Sequence, residues 1–571
     1  MKKYLSIFID CMMYFLFPVI ILVTMNYGIK DVMNIHIASD EFGYWTAAAN
    51  ILKYDWSQCA SLNEYYSFGY GIILAPLLLF RDPNLTYKAA LYMNIFFVIF
   101  SYFEMIKIIQ NIFRITRSKC SLISLAINLY AGLIFYTKLT LAECLLWFCF
   151  CSSLLFLQEY MLQEKSLYLV AASLVNIFML WTHMRSIGII AAMILSFIIY
   201  CILLKKKLKN YIWIMIVFGI GIVFLFVFKN ILKTSQYSAS VLSGNELISQ
   251  FSKIKMLISI DGIKNLLLNI IGRIWYLGIS TFLLFYFGCL VCIRKCIRAI
   301  KKRDKSVFIY TYILLSVIFA IVISSVFMLE IKEGRRDTLF YGRYSEYVIA
   351  PILAFGMIEI LENRNLLKKI FVIAASQLIS AIIVHETIIT YKMTSCLDVS
   401  IPGFYYWIKR ENFSNDSYFS ASLLLIFVAI ISIFLFSIFQ NEFSKMAVWL
   451  VFCALSVTLG YKSYEISDTH DHDKDYYEVY TSINDNLKEN TNIILYCYND
   501  ADMEDYYSFM GVDRLQFLLK DKIINYRNLK MEKLPYGTII VTRPKSDINT
   551  YLKEVCSIIL ENQEFNVYEY K

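Results

Sequence analysis

The sequence predicts a polytopic α-helical membrane protein, with roughly thirteen spans and a small C-terminal α/β domain outside the membrane. Three observations predict it. Of the 571 residues, 58% are hydrophobic and 17% charged, with a mean hydropathy of +0.57, whereas a soluble domain carries roughly 25% charge. Apolar runs of about twenty residues, the length that crosses a bilayer, recur along most of the chain. After Tyr461 the runs shorten and change period, as expected where a chain leaves the membrane for a globular domain.

The first run, Tyr4 to Tyr27, follows Lys2 and Lys3. It exceeds the roughly 7–15 residues of a signal-peptide core and lacks a small-x-small cleavage site, so it reads as a retained span with a cytoplasmic N-terminus. Further spans are expected at 86–112, 120–138, 140–158, 167–183, 186–204, 211–231, 266–293, 307–329, 346–361, 368–386, 419–439 and 446–462. Short loops rich in Lys and Arg set the orientation. Arg114, Arg117 and Lys119, then Lys205–Lys209, Arg294–Lys305 and Arg364–Lys369 fall on one side, the cytoplasmic one. The other side is poor in positive charge except near Arg335.

Tyr65 to Phe80 is apolar but short, and Gly69, Gly71 and Pro76 interrupt it. As a span it would turn every later lysine-rich loop outward, so it reads as an interfacial or re-entrant helix, which protein must cover. The first external loop then runs from 28 to 86, longer than a plain connector needs to be. The chain divides into a membrane domain, 1–462, and an extracytoplasmic α/β domain, 463–571. In the latter, Asn492–Tyr498, Gly537–Thr542 and Phe565–Tyr570 read as strands, alternating with helices near 476–488, 511–521 and 546–561.

Most of the fourteen cysteines lie inside apolar runs, where they act as small hydrophobes. The CxxC pair Cys289–Cys292 lies inside an apolar run, and no framework spacing indicates a zinc site or a disulfide scaffold. The net charge of +9 lies largely in inter-helix loops, so it reports orientation and not nucleic-acid binding. Richness in Ile, Lys, Asn and Tyr suggests an AT-rich bacterial genome, hence a bacterial cytoplasmic membrane.

The strongest local signal is Ala38-Ser39-Asp40-Glu41-Phe42-Gly43-Tyr44-Trp45, shortly after the first span. Adjacent carboxylates just outside a membrane can take a proton from an incoming hydroxyl while orienting a partner or a metal. Equally, Ser39 and Asp40 are good N-caps for a helix starting near Phe42. Glu64 and Tyr65 lead into the interfacial segment and supply another carboxylate. Arg335, Arg336 and Arg343 form a basic cluster against the positive-inside trend. Arginine's fork suits phosphate oxygens, but pairing with Glu330, Glu333, Asp337 or Glu346 would serve equally. Arg185, next to His183 at a span end, either binds an anion or snorkels to headgroups.

In order, these parts resemble the GT-C superfamily of membrane glycosyltransferases, which use polyprenyl-phosphate-linked sugars and include protein O-mannosyltransferases and aminoarabinose transferases. The resemblance rests on Asp40-Glu41 and on the aromatic segment Phe68-Gly69-Tyr70 to Pro76. It continues with Tyr136 to Glu143, Trp181-Thr182-His183-Met184-Arg185, and Phe340-Tyr341-Gly342-Arg343-Tyr344 before Pro351. The segment lacks the Pro-Pro or His-Pro that several members carry, so no branch is assigned. The resemblance implies a GT-C-like fold and an inverting sugar transfer to an acceptor hydroxyl at the extracytoplasmic face. Asp40 would be the base, with Glu41 and Glu64 supporting it; Asp40 and Glu64 could hold a divalent cation such as Mg or Mn. Tyr65, His183, Arg185, Arg335, Arg336, Arg343 and Tyr344 would form the substrate site. The partners implied are a polyprenyl-phosphate sugar, a glycan, lipid or protein acceptor, and membrane lipid, with no nucleic acid.

Two other classes stand beside this one. A transporter or lipid flippase would place ionisable residues mid-membrane, whereas Glu104, Lys107 and Glu143 lie near span ends. A non-catalytic envelope-assembly scaffold would tolerate replacement of Asp40. His470-Asp471-His472-Asp473 has metal-ligand chemistry but reads as a polar linker.

Overall fold

The computed structural model describes residues 2–36, 38–63, 66–206, 211–237, 253–331, 334–362, 366–407, 417–438, 442–467, 473–486, 493–498, 506–528 and 534–571. Among them, seven helices are long and apolar enough to cross a membrane, or up to nine if each of two sharply bent pairs counts as one span. Shorter apolar helices include Met13–Asn26, Ser166–Thr182 and Phe419–Ile431. The thirteen separate spans expected from hydropathy are therefore not all present as such.

Two departures have clear backbone causes. The run 266–293 is two helices, Ile260–Ser280 and Leu284–Lys302, bent by 108°. At the break Phe282 and Leu283 both stand in the left-handed region, with φ of 50° and 65°, a conformation that stops a helix at a cost of about 1–3 kcal/mol per residue. The run 120–138 is likewise two short helices, Arg117–Asn128 and Ala131–Tyr136, because Tyr130 between them is extended (φ −57°, ψ 135°). The segment read as 346–361 begins as Ala350–Glu362, with Pro351 in its first turn, where its missing N–H costs nothing.

The Tyr211–Gln236 helix leaves Ile220 and Val223 66% and 63% exposed. Side chains this apolar at such exposure are what a lipid-facing surface requires. Elsewhere helices pack backbone to backbone. A Cβ on Gly288 would lie 1.9 Å from the Ile352 carbonyl, and one on Gly356 would lie 2.3 Å from that of Leu284. These glycines seat Leu284–Lys302 against Ala350–Glu362 as small residues do between membrane helices.

The interfacial segment is a short helix, Gly69–Leu74, running into a 3-10 turn, Ala75–Leu79. Protein covers its first half, where Tyr70 is buried and its hydroxyl donates to Asn94 Oδ1 (2.9 Å), while Leu79 and Phe80 at its end are 65% and 41% exposed.

The C-terminal segment forms a five-stranded sheet: β1 (Ile493–Tyr498), β2 (Ile523–Asn528), β3 (Ile539–Thr542), β4 (Cys556–Glu561) and β5 (Asn566–Tyr570), in the order β2-β1-β3-β5-β4. β1 is parallel to β2 and β3; β5 is antiparallel to β3 and β4. The helix expected over 546–561 ends at Val555, and its second half is β4. Alternation divides the core: Ile539 and Val541 join the main apolar cluster, while Ile540 packs with Leu495, Leu552 and Tyr568 on the other face.

Candidate active site

Asp40 lies in the first turn of the Ala38–Ile51 helix, where the helix dipole favours a carboxylate. The helix begins at Ala38 and not near Phe42, so Ser39 and Asp40 belong to its first turn instead of preceding it. The side chain of Asp40 is 18% exposed. Its Oδ1 accepts from the Tyr66 hydroxyl, and its Oδ2 accepts from Arg343 Nη1 at 2.5 Å. Burial, and then the Asp40 charge, push the Tyr66 phenol well above its usual range, so it stays a donor.

Arg343 opens a single turn, Arg343–Glu346, and is almost wholly buried. Its Nε donates to Glu143 Oε1 at the start of the Glu143–Gln163 helix. The glycine before it is required by space, since a Cβ on Gly342 would fall 1.8 Å from the Tyr276 ring. Gly342 N also donates to Ser400 O (2.9 Å), fixing the turn.

Glu346, at the other end of that turn, is taken by tyrosines. Tyr130 and Tyr276 donate to Oε1 at 2.5 and 2.6 Å, and Tyr136 donates to Oε2 at 2.7 Å. Three phenols from two segments thus hold a buried carboxylate, satisfying a group that would otherwise be costly to bury.

Glu41 points the other way, with no exposed surface. Its Oε1 accepts from His36 N (2.8 Å). Its Oε2 accepts from Tyr87 OH (2.7 Å), Thr140 N (2.6 Å) and Thr140 Oγ1 (2.5 Å). It sews the first loop to the Pro83–Phe113 helix and to the turn before Glu143.

Arg185 is 9% exposed and sits after the Ser166–Thr182 helix. Its guanidinium carbon stands 3.1 Å from the Tyr344 ring centroid and 5.0 Å from that of Phe327. Tyr344 in turn stacks on Tyr341 at 4.2 Å and lies 5.9 Å from the Arg343 guanidinium. Among the described residues Arg185 has no carboxylate partner, and its Nε has no acceptor. His183 lies 3.4 Å from Arg185 Nη1. Removal from water, then the charges of Arg185 and Arg343, hold this imidazole well below its usual pKa.

Of the residues singled out from sequence, the structure gathers Asp40, Arg343, Tyr344, Arg185 and His183. Arg335 turns to Asp337 (2.5 Å), and Arg336 Nε donates to Met393 O (2.7 Å). Glu64, Tyr65, His470, Asp471 and His472 lie outside the described residues. Sequence reasoning gave no role to Tyr66, and it met Glu346 only as a partner for the arginines, without its three tyrosines. It met Glu143 inside the resemblance and as a carboxylate near a span end, and gave it no place in the site.

The described residues do not make a metal site. No group of three His, Cys, Asp or Glu among them could hold an ion. At Asp40 a cation would have to displace the Tyr66 hydroxyl and the Arg343 guanidinium.

The C-terminal segment bears on this centre. Arg514 donates to Ile35 O (3.0 Å) and His36 O (3.3 Å), just before Asp40. Lys520 Nζ reaches Leu78 O (2.5 Å), and Trp56 Nε1 donates to Lys520 O (2.8 Å).

No family model matches the sequence, and no curated protein matches it either. Solved structures do. The apo structure of ArnT from Cupriavidus metallidurans matches over 97% of both chains at 12% identity, with a TM-score of 0.51. The same enzyme bound to undecaprenyl phosphate matches with the same figures. The apo oligosaccharyltransferase of Archaeoglobus fulgidus matches over 92% of this chain and 65% of its own, at 12% identity and a TM-score of 0.47. The likeness to ArnT is one of fold, and it extends over nearly the whole chain.

Proposed function

We propose that this chain is a GT-C-type membrane glycosyltransferase, transferring a sugar from a polyprenyl-phosphate donor to an acceptor hydroxyl at the extracytoplasmic face. The observation that carries the reading is the meeting of Asp40 with Arg343, beside Arg185, which has no carboxylate partner among the described residues and whose Nε has no acceptor, within an ArnT-like fold. A structural neighbour holds undecaprenyl phosphate, and a buried guanidinium with no carboxylate to neutralise it is the group such a phosphate needs.

In this mechanism the donor phosphate lies against Arg185, steadied by Tyr344 and neighbouring Arg343. The acceptor oxygen attacks the anomeric carbon from the side opposite the phosphate, and its proton passes to Asp40. The bond from that carbon to the phosphate oxygen breaks, and its electron pair leaves with the lipid phosphate, inverting the sugar carbon. A phosphate leaves readily, so the base is the group the reaction asks of the protein. Glu41 holds the loop that carries Asp40. Glu64 and Tyr65 remain part of the proposed substrate site, and the C-terminal sheet domain contributes to acceptor recognition.

The test is transfer by purified protein from a panel of polyprenyl-phosphate sugars, wild type against Asp40→Asn. The wild type consumes a donor, and the folded variant is slower by about a hundredfold or more. Equal rates would remove Asp40 as the base. Substrate flux in proteoliposomes without donor cleavage would favour a transporter.

A further inference from the structure

We infer that Glu143 is a positioning residue for Asp40: by sharing Arg343 it keeps the arginine from clamping the base. The inference rests on the transferase reading above. Glu143 is 4% exposed, its Oε1 receives Arg343 Nε, and its Oε2 is buried without a hydrogen-bond partner. Arg343 therefore bridges two carboxylates that stand 200 and 303 positions from it in sequence.

The geometry of the fork explains the consequence. A carboxylate alone with an arginine takes two parallel N–H bonds. Here Glu143 occupies the Nε–H, the guanidinium turns, and Asp40 receives one bond, from Nη1. A carboxylate held by a full buried ion pair is a poor base, because the neighbouring cation favours its charged form. Two carboxylates against one guanidinium leave these three groups with one net negative charge, and the arginine is shared instead of closing on Asp40. Glu346 does not compete for Arg343, since its oxygens are filled by Tyr130, Tyr276 and Tyr136.

The groups facing the cluster include Tyr44, Tyr66 and Tyr70 from the segments before Pro83, Tyr136 and Cys144 from the segments around Glu143, and Tyr341, Tyr344 and Glu346 from the Arg343 side, with Arg185 and His183 beyond Tyr344. Of these, Tyr66 donates to Asp40. The surplus negative charge of the pair lies close to the proposed phosphate position through Arg343 and Tyr344, opposing donor binding while it sustains the base.

Opposite effects on the two kinetic parameters follow, and a merely structural role would not produce them. In Glu143→Gln the amide oxygen still accepts Arg343 Nε–H, but the charge of the arginine is balanced by Asp40 alone. The rate constant kcat falls about tenfold and the acid limb of its pH profile moves about one unit lower. Donor KM, and the Kd for undecaprenyl phosphate alone, fall several-fold. Glu143→Asp keeps the charge and restores the pH limb and Kd to near the wild-type values.

A fall in kcat with a rise in KM and an unmoved pH profile would overturn the inference. If Glu143→Gln proves unstable in detergent, Glu143→Asp and the lipid-phosphate Kd decide it. Should the wild type bind undecaprenyl phosphate and Glu143→Gln bind it no tighter, the inference fails and the transferase reading stands. Should the wild type neither bind lipid phosphate nor transfer sugar, both fall.

Discussion

Arg343 reaches Asp40 at 2.5 Å across 303 positions of sequence, and the two groups can meet only if the segment after the first apolar helix and the turn before Ala350–Glu362 are folded against one another. The contact is therefore both part of the candidate site and a tie between the ends of the helical domain. Removing the cation should expose how much it holds.

In Arg343→Gln, Asp40 and Glu143 lose their shared counter-charge while still largely buried. Breaking a buried pair from one side costs about 3–5 kcal/mol, so the variant should show a clear fall in Tm in detergent. Arg343→Gln/Glu143→Gln removes one of the two stranded charges and should regain a good part of that loss. If the double variant is no more stable than the single one, charge compensation is not what Arg343 contributes.

The second predicted effect separates two neighbouring acids. Glu41→Gln puts an amide where four donors now converge, from His36, Tyr87 and Thr140. At least one donor must face the new NH2, at a cost of about 1–3 kcal/mol. Tm should fall, while transfer per folded molecule drops far less than in Asp40→Asn. Equal loss of turnover with unchanged Tm would instead mark Glu41 as a reacting group.

How much of this was legible follows from where each signal resides. Asp40 was found because its cue is local: an acidic pair a short way past a span. Arg343 was found because its cluster opposes the charge rule of its side, and Arg185 because it stands beside His183 at a span end. Glu346 was read only as an arginine partner, because Tyr130 and Tyr136 lie in one apolar run and Tyr276 in another, far from it in sequence, and each looks like bulk there. The bend after Ser280 was missed for a related reason: hydropathy counts apolar residues, and the left-handed Phe282 and Leu283 are both apolar. Strand β2 was overlooked because Asn525, Arg527 and Asn528 dilute its pattern. Strand β4 (CSIILE) continues the apolar content of the helix before it and was absorbed into that helix.

A pH effect follows from His183. Its folded pKa lies below the unfolded value of about 6.5, because it is withdrawn from water and faces Arg185 and Arg343. Between those two values the unfolded chain binds the proton more tightly, so stability is whole above about pH 6.5 and is lost as the pH falls below it. The Tm of the wild type should decline from pH 7 to pH 5, and His183→Asn should flatten part of that decline. Identical pH–Tm curves for the two proteins would show that His183 does not titrate in the way its surroundings require.

The last expectation concerns how the sheet domain governs the loop that carries Asp40. Arg514 lies in the Tyr506–Leu518 helix, is 5% exposed, and donates to the carbonyls of Ile35 and His36. The His36 N–H is held from the opposite side by Glu41. This stretch, four residues before Asp40, is thus pinned between the two domains. Arg514→Met keeps most of the volume but removes both hydrogen bonds, each worth about 1.5–3 kcal/mol when the donor is charged. Amide exchange over 38–45 should quicken, and transfer should fall several-fold with the affinity for lipid phosphate little changed, since Arg185 stands on a different element. Unchanged exchange over 38–45 would mean that the loop is held by the helical domain alone, and the sheet domain would then have to act, if at all, through the acceptor.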